Sequence, residues 1–486
     1  MSALTSPLPP GNSRPLPPGT SRALTGWGRV APSRAWVTGP VDRDRLAELV
    51  ASPPPGGILA RGAGRSYGDA AQNAGGIVLD PVTVPHIEID VAGASLRASA
   101  ATTFTELLAR TVPLGLLPPV LPGTRHLTVG GAVAADVHGK NQHADGSIAA
   151  WIDEIELVAG DGTTRTVVPG TPAFRATVGG MGLTGIILAV RLRLLRIRSA
   201  RLLVTTRRYP DLDSLLAAQD AAAQHGSAAQ HAAGGQGVAA RAGVGRGAAR
   251  YAVAWVDMSA TGRSLGRGVL DTGDHLPEPD PTAEADGLRY DPGRPWPAPA
   301  LPACPVTPLS ARAFNRLWYR ASPADRTDVT DIPPYFHRLD AVRDWNRVLG
   351  RNGFLQYQFV VPLGCEKTIA QVIETVQRRH AAAFLGTLKR FGPVGGGYLS
   401  FPLPGWSLAV DMPARRPGLG VVLGELDRLV AGVGGRLYLA KDARLGREAL
   451  AGMFPGLEDW HAARAGLDPR GVFRSDLGRR LGLVDS

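Results

Sequence analysis

The chain has 486 residues, 44% hydrophobic and 20% charged, which is typical of a soluble globular protein with more than one domain. No apolar run approaches the roughly 18 residues needed to cross a bilayer, and the N-terminus lacks the apolar stretch of a signal peptide. We therefore expect a cytoplasmic or peripherally membrane-associated protein, with neither a signal peptide nor a transmembrane helix.

The net charge of +11 suits nucleic acid, anionic lipid or a phosphorylated ligand as a partner. Nucleic acid is disfavoured because the arginines are scattered and aromatic residues do not alternate with them. The two cysteines, Cys304 and Cys365, lie far apart and predict neither a disulfide framework nor a metal site.

Only four of the 53 basic residues are lysines: Lys140, Lys367, Lys389 and Lys441. Lysine differs from arginine in that burial shifts its pKa readily. Lysines inside glycine- or aromatic-rich motifs are therefore candidate functional residues.

The first part of the chain alternates short strands and helices. Residues 1–23, rich in Pro, Ser and Gly, predict a disordered tail. The hydrophobic pattern and capping residues then predict helices over 42–51 and 103–112 and strands over 58–60, 76–80, 95–101, 152–158, 163–168 and 186–195.

The composition changes after about residue 200. Residues 226–248 have no defined pattern, and residues 262–305, rich in Pro, Asp and Gly, predict a mobile loop that could cover an active site. Further on, the pattern predicts strands over 354–361, 399–402 and 406–412, a helix over 420–433 and a helical tail over 455–483.

Three glycine-rich segments carry the chemistry. The first, RGAGRSYGD at 61–69, follows a strand, and its glycines would let backbone N–H groups approach a phosphate. Its spacing is neither that of a Walker loop nor that of a Rossmann dinucleotide site. A purely structural turn remains an alternative interpretation of this segment alone.

The second segment runs from Leu121 to Ala132 and precedes a predicted helix, where N–H donors could meet a pyrophosphate. It leads into Asp136–Asn141, which contains His138 and Lys140; a plain helix cap with a solvated lysine is the alternative. The third segment, residues 177–187, joins glycines to β-branched residues in a form that suits a flat ring.

These three segments, in this order, resemble the FAD-binding domain of the vanillyl-alcohol-oxidase type. More closely, strings from TGWGR at 25–29 to FRSDLGRRL at 473–481 resemble the decaprenylphosphoryl-ribose 2′-oxidase family. The resemblance implies an α+β fold with a two-part FAD-binding domain and a substrate domain of antiparallel sheet and helices. It implies a disordered tail over 1–23, an FAD-binding domain over 24–197, a substrate-binding domain over 198–436 and a C-terminal segment over 437–486 that returns to the first domain.

The family's site residues carry over by position. The residues expected to bind FAD are Gly62, Gly64, Arg65, Ser66, Tyr67, Gly123, Thr124, Thr128, Gly130, Gly131, Ala134, Val137, His138, Gly182, Gly185, Ile187 and Tyr438. Those expected to face the substrate are Gln356, Gln358, Lys389, Tyr438 and Lys140. Lys441, His138 and Tyr67 are the candidate catalytic residues, with Lys441 as base and His138 as its rival; a salt bridge from Lys441 to Asp442 or another acid is the structural alternative.

The resemblance also implies a reaction. FAD would oxidise the ribose 2′-hydroxyl of a polyprenylphosphoryl sugar to a 2′-keto sugar, as the first half of an epimerisation to an arabinose donor for cell-wall polysaccharide. A separate NAD(P)H-dependent reductase would complete it, because the chain shows no nicotinamide motif, and peripheral membrane contact would follow from the lipid. The alternative is a soluble FAD-dependent sugar, alditol or aldonolactone oxidase that uses O₂.

Four positions bear on that choice. Related sugar-alcohol and aldonolactone oxidases carry a flavin-linked His where this chain has Tyr67, so we expect non-covalent FAD. The family pattern has Cys at Ala409, Asn at Met181 and Tyr at Phe336. The flavin site is thus expected to be intact and the substrate pocket to be altered.

Overall fold

The computed structural model describes residues 17–232, 249–277 and 287–485. Its first part consists of β1 (Gly19–Leu24), β2 (Ser33–Thr38), α1 (Arg43–Ala51), β3 (Ile58–Ala60), β4 (Ile77–Leu79), β5 (Ile87–Asp90), β6 (Ser95–Ser99), α2 (Phe104–Thr111), β7 (Leu116–Leu117), α3 (Val129–Ala134), α4 (Gln142–Asp145), β8 (Ile152–Val158), β9 (Thr164–Val167), α5 (Pro172–Thr177), β10 (Ile186–Arg193) and β11 (Leu195–Arg196).

Two sheets organise this part. One has the order β1-β2-β4-β3, with β4 parallel to both of its neighbours, and the other is antiparallel with the order β5-β6-β10-β8-β9. The predicted helices form where capping residues allow: Asp42 accepts from the Arg45 N–H at 2.7 Å, and Thr103 and Glu106 form a capping box at the start of α2.

The expected disorder of residues 1–23 is wrong for its last residues. Gly19–Leu24 forms β1 and pairs with β2, because the Pro-Gly stretch ends there and the backbone finds an antiparallel partner. Residues 1–16 lie outside the described residues.

The second part consists of β12 (Arg201–Tyr209), α6 (Leu212–Ala232), β13 (Tyr251–Val256), β14 (Gly268–His275), β15 (Trp296–Pro297), α7 (Pro308–Ala321), β16 (Asp325–Asp331), α8 (Ile332–Phe336), β17 (Val342–Arg343), β18 (Phe354–Pro362), α9 (Glu366–Arg378), β19 (Leu385–Phe391), β20 (Gly405–Pro413), α10 (Leu419–Ala431) and β21 (Arg436–Leu437). An eight-stranded antiparallel sheet, ordered β16-β12-β14-β13-β19-β20-β18-β21, is its centre.

Two sequence predictions fail here. The loop predicted over 262–305 contains β14, which lies between β12 and β13 because its backbone completes the sheet despite its Gly and Asp residues. Residues 399–402, which were predicted as a strand, have no regular secondary structure. The side chains of Ser400 and Phe401 are buried there. The unpatterned residues 226–248 fall mostly outside the described residues.

The chain ends with α11 (Arg447–Met453), α12 (Leu457–Leu467) and α13 (Asp476–Leu481). The Ile58 N–H donates to Val472 at 2.9 Å and the Arg474 N–H donates back to Ile58 at 3.1 Å, so the end of the chain lies along β3. Within the described residues, no helix has both the length and the apolarity to cross a membrane.

Candidate active site

A cavity of about 440 Å³ lies between the glycine-rich loops of the first part and one face of the large sheet. The strand register explains which side chains of the large sheet face the cavity. Gln358 is paired with Ala409, which is paired with Thr387, and Lys389 is paired with Ser407 in the next row. Because alternate residues of a strand share a face, these side chains form a polar wall opposite the glycines.

Most of the predicted site residues line this one cavity. They are Gly62, Gly64, Arg65, Ser66, Tyr67, Gly123, Thr124, Thr128, Gly130, Gly131, Ala134, Val137, His138, Gly182, Gly185, Ile187, Gln356, Gln358, Lys389, Tyr438 and Lys441. Segments almost 400 residues apart in sequence therefore meet at one site.

Lys140 is the exception, because it is not among the residues that line the cavity, and its role in binding substrate stays a prediction. Its Nζ donates to the Tyr335 carbonyl oxygen at 2.6 Å and lies 3.9 Å from the centre of the Tyr335 ring. The side chain thus contacts Tyr335 of the second part. Phe336 lies behind it, with Lys140 Nζ 5.9 Å from its ring.

The glycine-rich wall has the shape that a bound cofactor requires. A Cβ atom added at Gly123 or Gly182 would meet nothing within 4 Å, so both backbones face open space. Gly182 has a φ of +76°, which favours glycine, and Met181 beside it has a φ of +56°, where the family's Asn is better tolerated.

Arg65 supplies an unmatched donor on the same wall. Its guanidinium lies 3.9 Å from the centre of the Trp27 ring, and its buried Nε has no partner among the described residues. Burial lowers the pKa of Arg65, although an arginine stays charged at neutral pH. An anionic group in the cavity would satisfy this donor, and the site therefore fits the diphosphate of FAD.

Lys441 lies in the cavity beneath the polar wall. Its Nζ is 3.6 Å from the centre of the Tyr67 ring. Burial lowers the pKa of Lys441 to about 7, an effect that the Asp411 carboxylate opposes and the Lys389 ammonium reinforces. Asp442 pairs with Arg480 at 2.8 Å, and the acid that interacts electrostatically with Lys441 is Asp411, so the alternative of a structural salt bridge to another acid stays open.

Asp411 is a functional candidate that the sequence analysis missed. It is buried in β20, accepts a hydrogen bond from Gln356 Nε2 at 2.9 Å, and has its pKa raised by burial to about 7, with Lys441 opposing that shift. Asp411 and Lys441 thus interact electrostatically, and each lowers the cost of charging the other in this buried site. A lone acid within the apolar run Trp406–Met412 is the signal that could have identified it.

His138 is buried and neutral. Burial lowers its pKa well below the usual value, and the charges of Lys389 and Lys441 add to that shift. With the amide of Gln358 oriented as it is here, its Nε2 donates to His138 Nε2 at 3.1 Å, which leaves the proton on Nδ1. That Nδ1 has no partner among the described residues.

Two further side chains position the site. The Tyr438 hydroxyl donates to the Ala135 carbonyl at 2.9 Å, so it supports the loop after α3 rather than offering a free donor. Thr124 donates to Asp340 at 2.8 Å, and Asp340, also missed from the sequence, lines the cavity and joins the glycine-rich loop to the second part.

The fold and site together define an FAD-dependent oxidoreductase that acts on a CH–OH group. Residues 41–167 match the family described as an FAD binding domain. The chain is 37% identical to the decaprenylphosphoryl-beta-D-ribose oxidase of Mycolicibacterium smegmatis over 95% of this chain and 97% of that protein.

Two other relatives are informative. A protein of Streptomyces coelicolor named only for the mprA 5′ region is 39% identical over 78% of this chain and its whole length. An alditol oxidase from a Streptomyces species is 29% identical over 35% of this chain and 42% of its own length. The chain belongs to the decaprenylphosphoryl-β-D-ribose oxidase family, and the predicted α+β fold and FAD cofactor are confirmed.

Proposed function

We propose that this protein uses non-covalently bound FAD to oxidise the 2′-hydroxyl of a polyprenylphosphoryl-β-D-ribose to the 2′-keto sugar. The observation that carries the proposal is the placement of a buried amine, Lys441, in the same cavity as the glycine-rich loops and the polar wall. The near full-length similarity to a relative named for this sugar substrate supports the choice of substrate.

FAD, when bound, supplies the acceptor for the carbinol hydride. The residues that would hold it are the cavity-lining members of the three glycine-rich segments, with Arg65 directed at the diphosphate. Tyr67, within the first segment, contacts Lys441 through its ring.

Lys441 is the proposed base for the 2′-hydroxyl proton. With its pKa lowered to about 7, a large fraction of this amine is neutral at physiological pH and able to accept a proton. The depressed pKa of His138 makes it a weak base, and its bond with Gln358 fits a role in orienting that amide.

The phosphate of the substrate requires a positively charged side chain near Lys441. Burial lowers the pKa of Lys389 to about 8, so this side chain remains mostly protonated at neutral pH and suits a phosphate. Gln356 and Gln358 on β18 project from the same face and offer amides to the ribose hydroxyls.

The keto product and the polyprenyl tail of the substrate each imply a partner. A 2′-keto sugar requires a hydride donor to become the epimeric alcohol, so an NAD(P)H-dependent keto-sugar reductase is the proposed functional partner. A polyprenyl tail also requires an apolar phase, so contact with a membrane surface is proposed. Nucleic acid is not proposed as a partner.

The test is turnover of farnesylphosphoryl-β-D-ribose by the purified holoenzyme with a dye as electron acceptor. We expect dye reduction and a product two hydrogens lighter that gains one deuterium on borodeuteride reduction. The arabinosyl epimer is the matched control and should react slowly at most. Peroxide formation from xylitol or an aldonolactone, with no reaction of the ribosyl lipid, would replace this proposal with the sugar-alcohol oxidase activity.

A further inference from the structure

We propose that Arg480, on the last helix α13, is a positioning residue that holds Lys441 and Tyr67 together in the cavity. Its guanidinium donates from Nη1 to the Asp442 carboxylate at 2.8 Å, and from Nε and Nη2 to the two carboxylate oxygens of Asp69 at 2.8 and 2.7 Å. Asp442 directly follows Lys441, and Asp69 lies two residues after Tyr67. One side chain therefore bridges the segments that carry the amine and the phenol.

The inference deepens the proposed function, because it concerns the residue assigned there as the base. The bridge itself is an observed set of contacts. The side chains of Asp69 and Asp442 are 15% and 4% exposed, and that of Arg480 is 23% exposed. The planar fork of an arginine can donate to two carboxylates at once, whereas a lysine ammonium acts as a single point charge.

The two bridged segments are also in backbone contact. The Tyr67 N–H donates to the Ala440 carbonyl oxygen at 2.9 Å. A Cβ atom added at Gly68 would lie 2.0 Å from the Asp442 carbonyl oxygen, so this approach requires glycine. At this contact the Lys441 amine lies 3.6 Å from the centre of the Tyr67 ring.

Asp442 passes the restraint on to the loop that follows Lys441. Its other carboxylate oxygen accepts from the Arg444 and Leu445 N–H groups at 3.0 and 2.9 Å. Arg480 donates in addition to the Leu445 carbonyl oxygen at 2.7 Å. Without Arg480 this loop would lose its link to α13, and the Lys441 amine could move toward solvent or toward the Asp442 carboxylate.

The protonation of Lys441 reports where its amine lies. The titratable groups around the amine on the neighbouring elements are Asp411 on β20, Lys389 on β19, Tyr67 and His138. Burial lowers the pKa of Lys441, an effect that the Asp411 carboxylate opposes and the Lys389 ammonium reinforces. A move toward solvent or toward the Asp442 carboxylate would raise this pKa, because both surroundings stabilise the ammonium.

The experiment measures the titration of Lys441 in the FAD-loaded protein by NMR, with lysine labelled with carbon-13 at Cε. Only four lysines are present, so the Lys441 signal can be identified by its loss in Lys441→Met. In Arg480→Met we expect the midpoint of this titration to rise by about one pH unit. Turnover of the ribosyl lipid at about pH 6 should fall roughly tenfold in the same variant, because the neutral fraction of the amine falls by that factor.

Arg479→Met is the matched control. Arg479 lies beside Arg480 on α13, and its removal also deletes one cation and several hydrogen bonds, but these bonds go to Asp476, Gly56 and Asn73. The Lys441 midpoint and the turnover should therefore match the wild type. Arg480→Lys keeps the charge without the fork, so its midpoint should lie between those of the wild type and Arg480→Met.

A wild-type Lys441 midpoint in Arg480→Met would overturn the inference, as would a rise of the same size in Arg479→Met. If Arg480→Met does not fold, Arg480→Lys decides, and a wild-type midpoint in that variant would overturn the inference. A raised midpoint in Arg480→Met, together with no turnover of the ribosyl lipid by the wild type, would instead contradict the proposed function alone.

Discussion

Lys441 holds its amine 3.6 Å from the centre of the Tyr67 ring, although the two residues are 374 positions apart in the chain. The aromatic face tolerates either protonation state, whereas a direct salt bridge would keep the amine charged. Burial at this place lowers the pKa of Lys441 to about 7, and the contact with Tyr67 links the first glycine-rich segment to the proposed chemistry.

Replacing Lys441 with Met should abolish most turnover while FAD stays bound. Loss of a general base typically costs roughly a hundred- to ten-thousand-fold in kcat. The measurement is dye reduction with the ribosyl lipid together with flavin absorbance of the purified variant. Lys367→Met, an exposed lysine on α9, is the control and should be silent. If the Lys441→Met enzyme were active, Lys441 would not be the base, and another group would have that role.

The pH profile should show the titration of Lys441. The amine must be neutral to accept a proton, so kcat/KM should fall as pH decreases through about 7. The Asp411 carboxylate raises the pKa of Lys441, so Asp411→Asn should shift this acidic limb to lower pH. Asp213→Asn, at an exposed position on α6, should leave the limb in place. A limb that moves upward in Asp411→Asn would contradict the assignment.

Local sequence patterns predicted the glycine-rich segments and most elements of the first part, because caps, turns and strand periodicity act over a few residues. They could not predict β14, whose Gly and Asp residues are typical of loops and whose strand form depends on β12 and β13 on either side. The contact between Lys140 and Tyr335 was unpredictable for the same reason, since only the fold brings Tyr335 within reach of this amine.

The residues of the candidate site also fall into those that a local motif predicts and those that only the fold identifies. Gly123 and Arg65 belong to recognisable motifs, whereas Asp411 and Asp340 gain their importance from partners on distant strands and loops. The boundaries proposed at 197 and 436 remain predictions, and β21, which contains residues 436 and 437, pairs with β18 in the large sheet.

Acid precipitation should release the flavin into the supernatant. Burial raises the pKa of Tyr67 well above its usual value, so its phenol stays protonated and is a poor nucleophile toward the flavin ring. The measurement is visible absorbance of supernatant and pellet. Yellow colour that remains with the precipitated protein would show a covalent flavin and favour the sugar-alcohol oxidase activity.

The buried pair of Arg250 and Asp145 should dominate the stability of the contact between α4 and β13. Their side chains are 4% and 0% exposed, with two hydrogen bonds of 2.7 and 2.6 Å. Arg250→Met should lower the free energy of unfolding by about 3–5 kcal/mol, because it removes the cation that neutralises the buried Asp145 carboxylate. Arg207→Met breaks the exposed pair with Asp325 and should cost at most about 1 kcal/mol in the same urea titration. Similar losses in both variants would contradict this account.

Gly123→Ala should weaken FAD binding without weakening the fold. Its new Cβ would enter the open cavity, and crowding a packed ligand typically costs roughly 1–3 kcal/mol, or about tenfold to a hundredfold in Kd. Gly39→Ala is the matched control, because its Cβ also meets nothing within 4 Å but it does not line the cavity. Flavin fluorescence titration of the apoprotein gives the Kd, and urea unfolding of the apoprotein checks the fold. Equal FAD affinity in both variants would place the cofactor away from the second glycine-rich segment, and a destabilised Gly123→Ala apoprotein would mean that this glycine serves the fold instead.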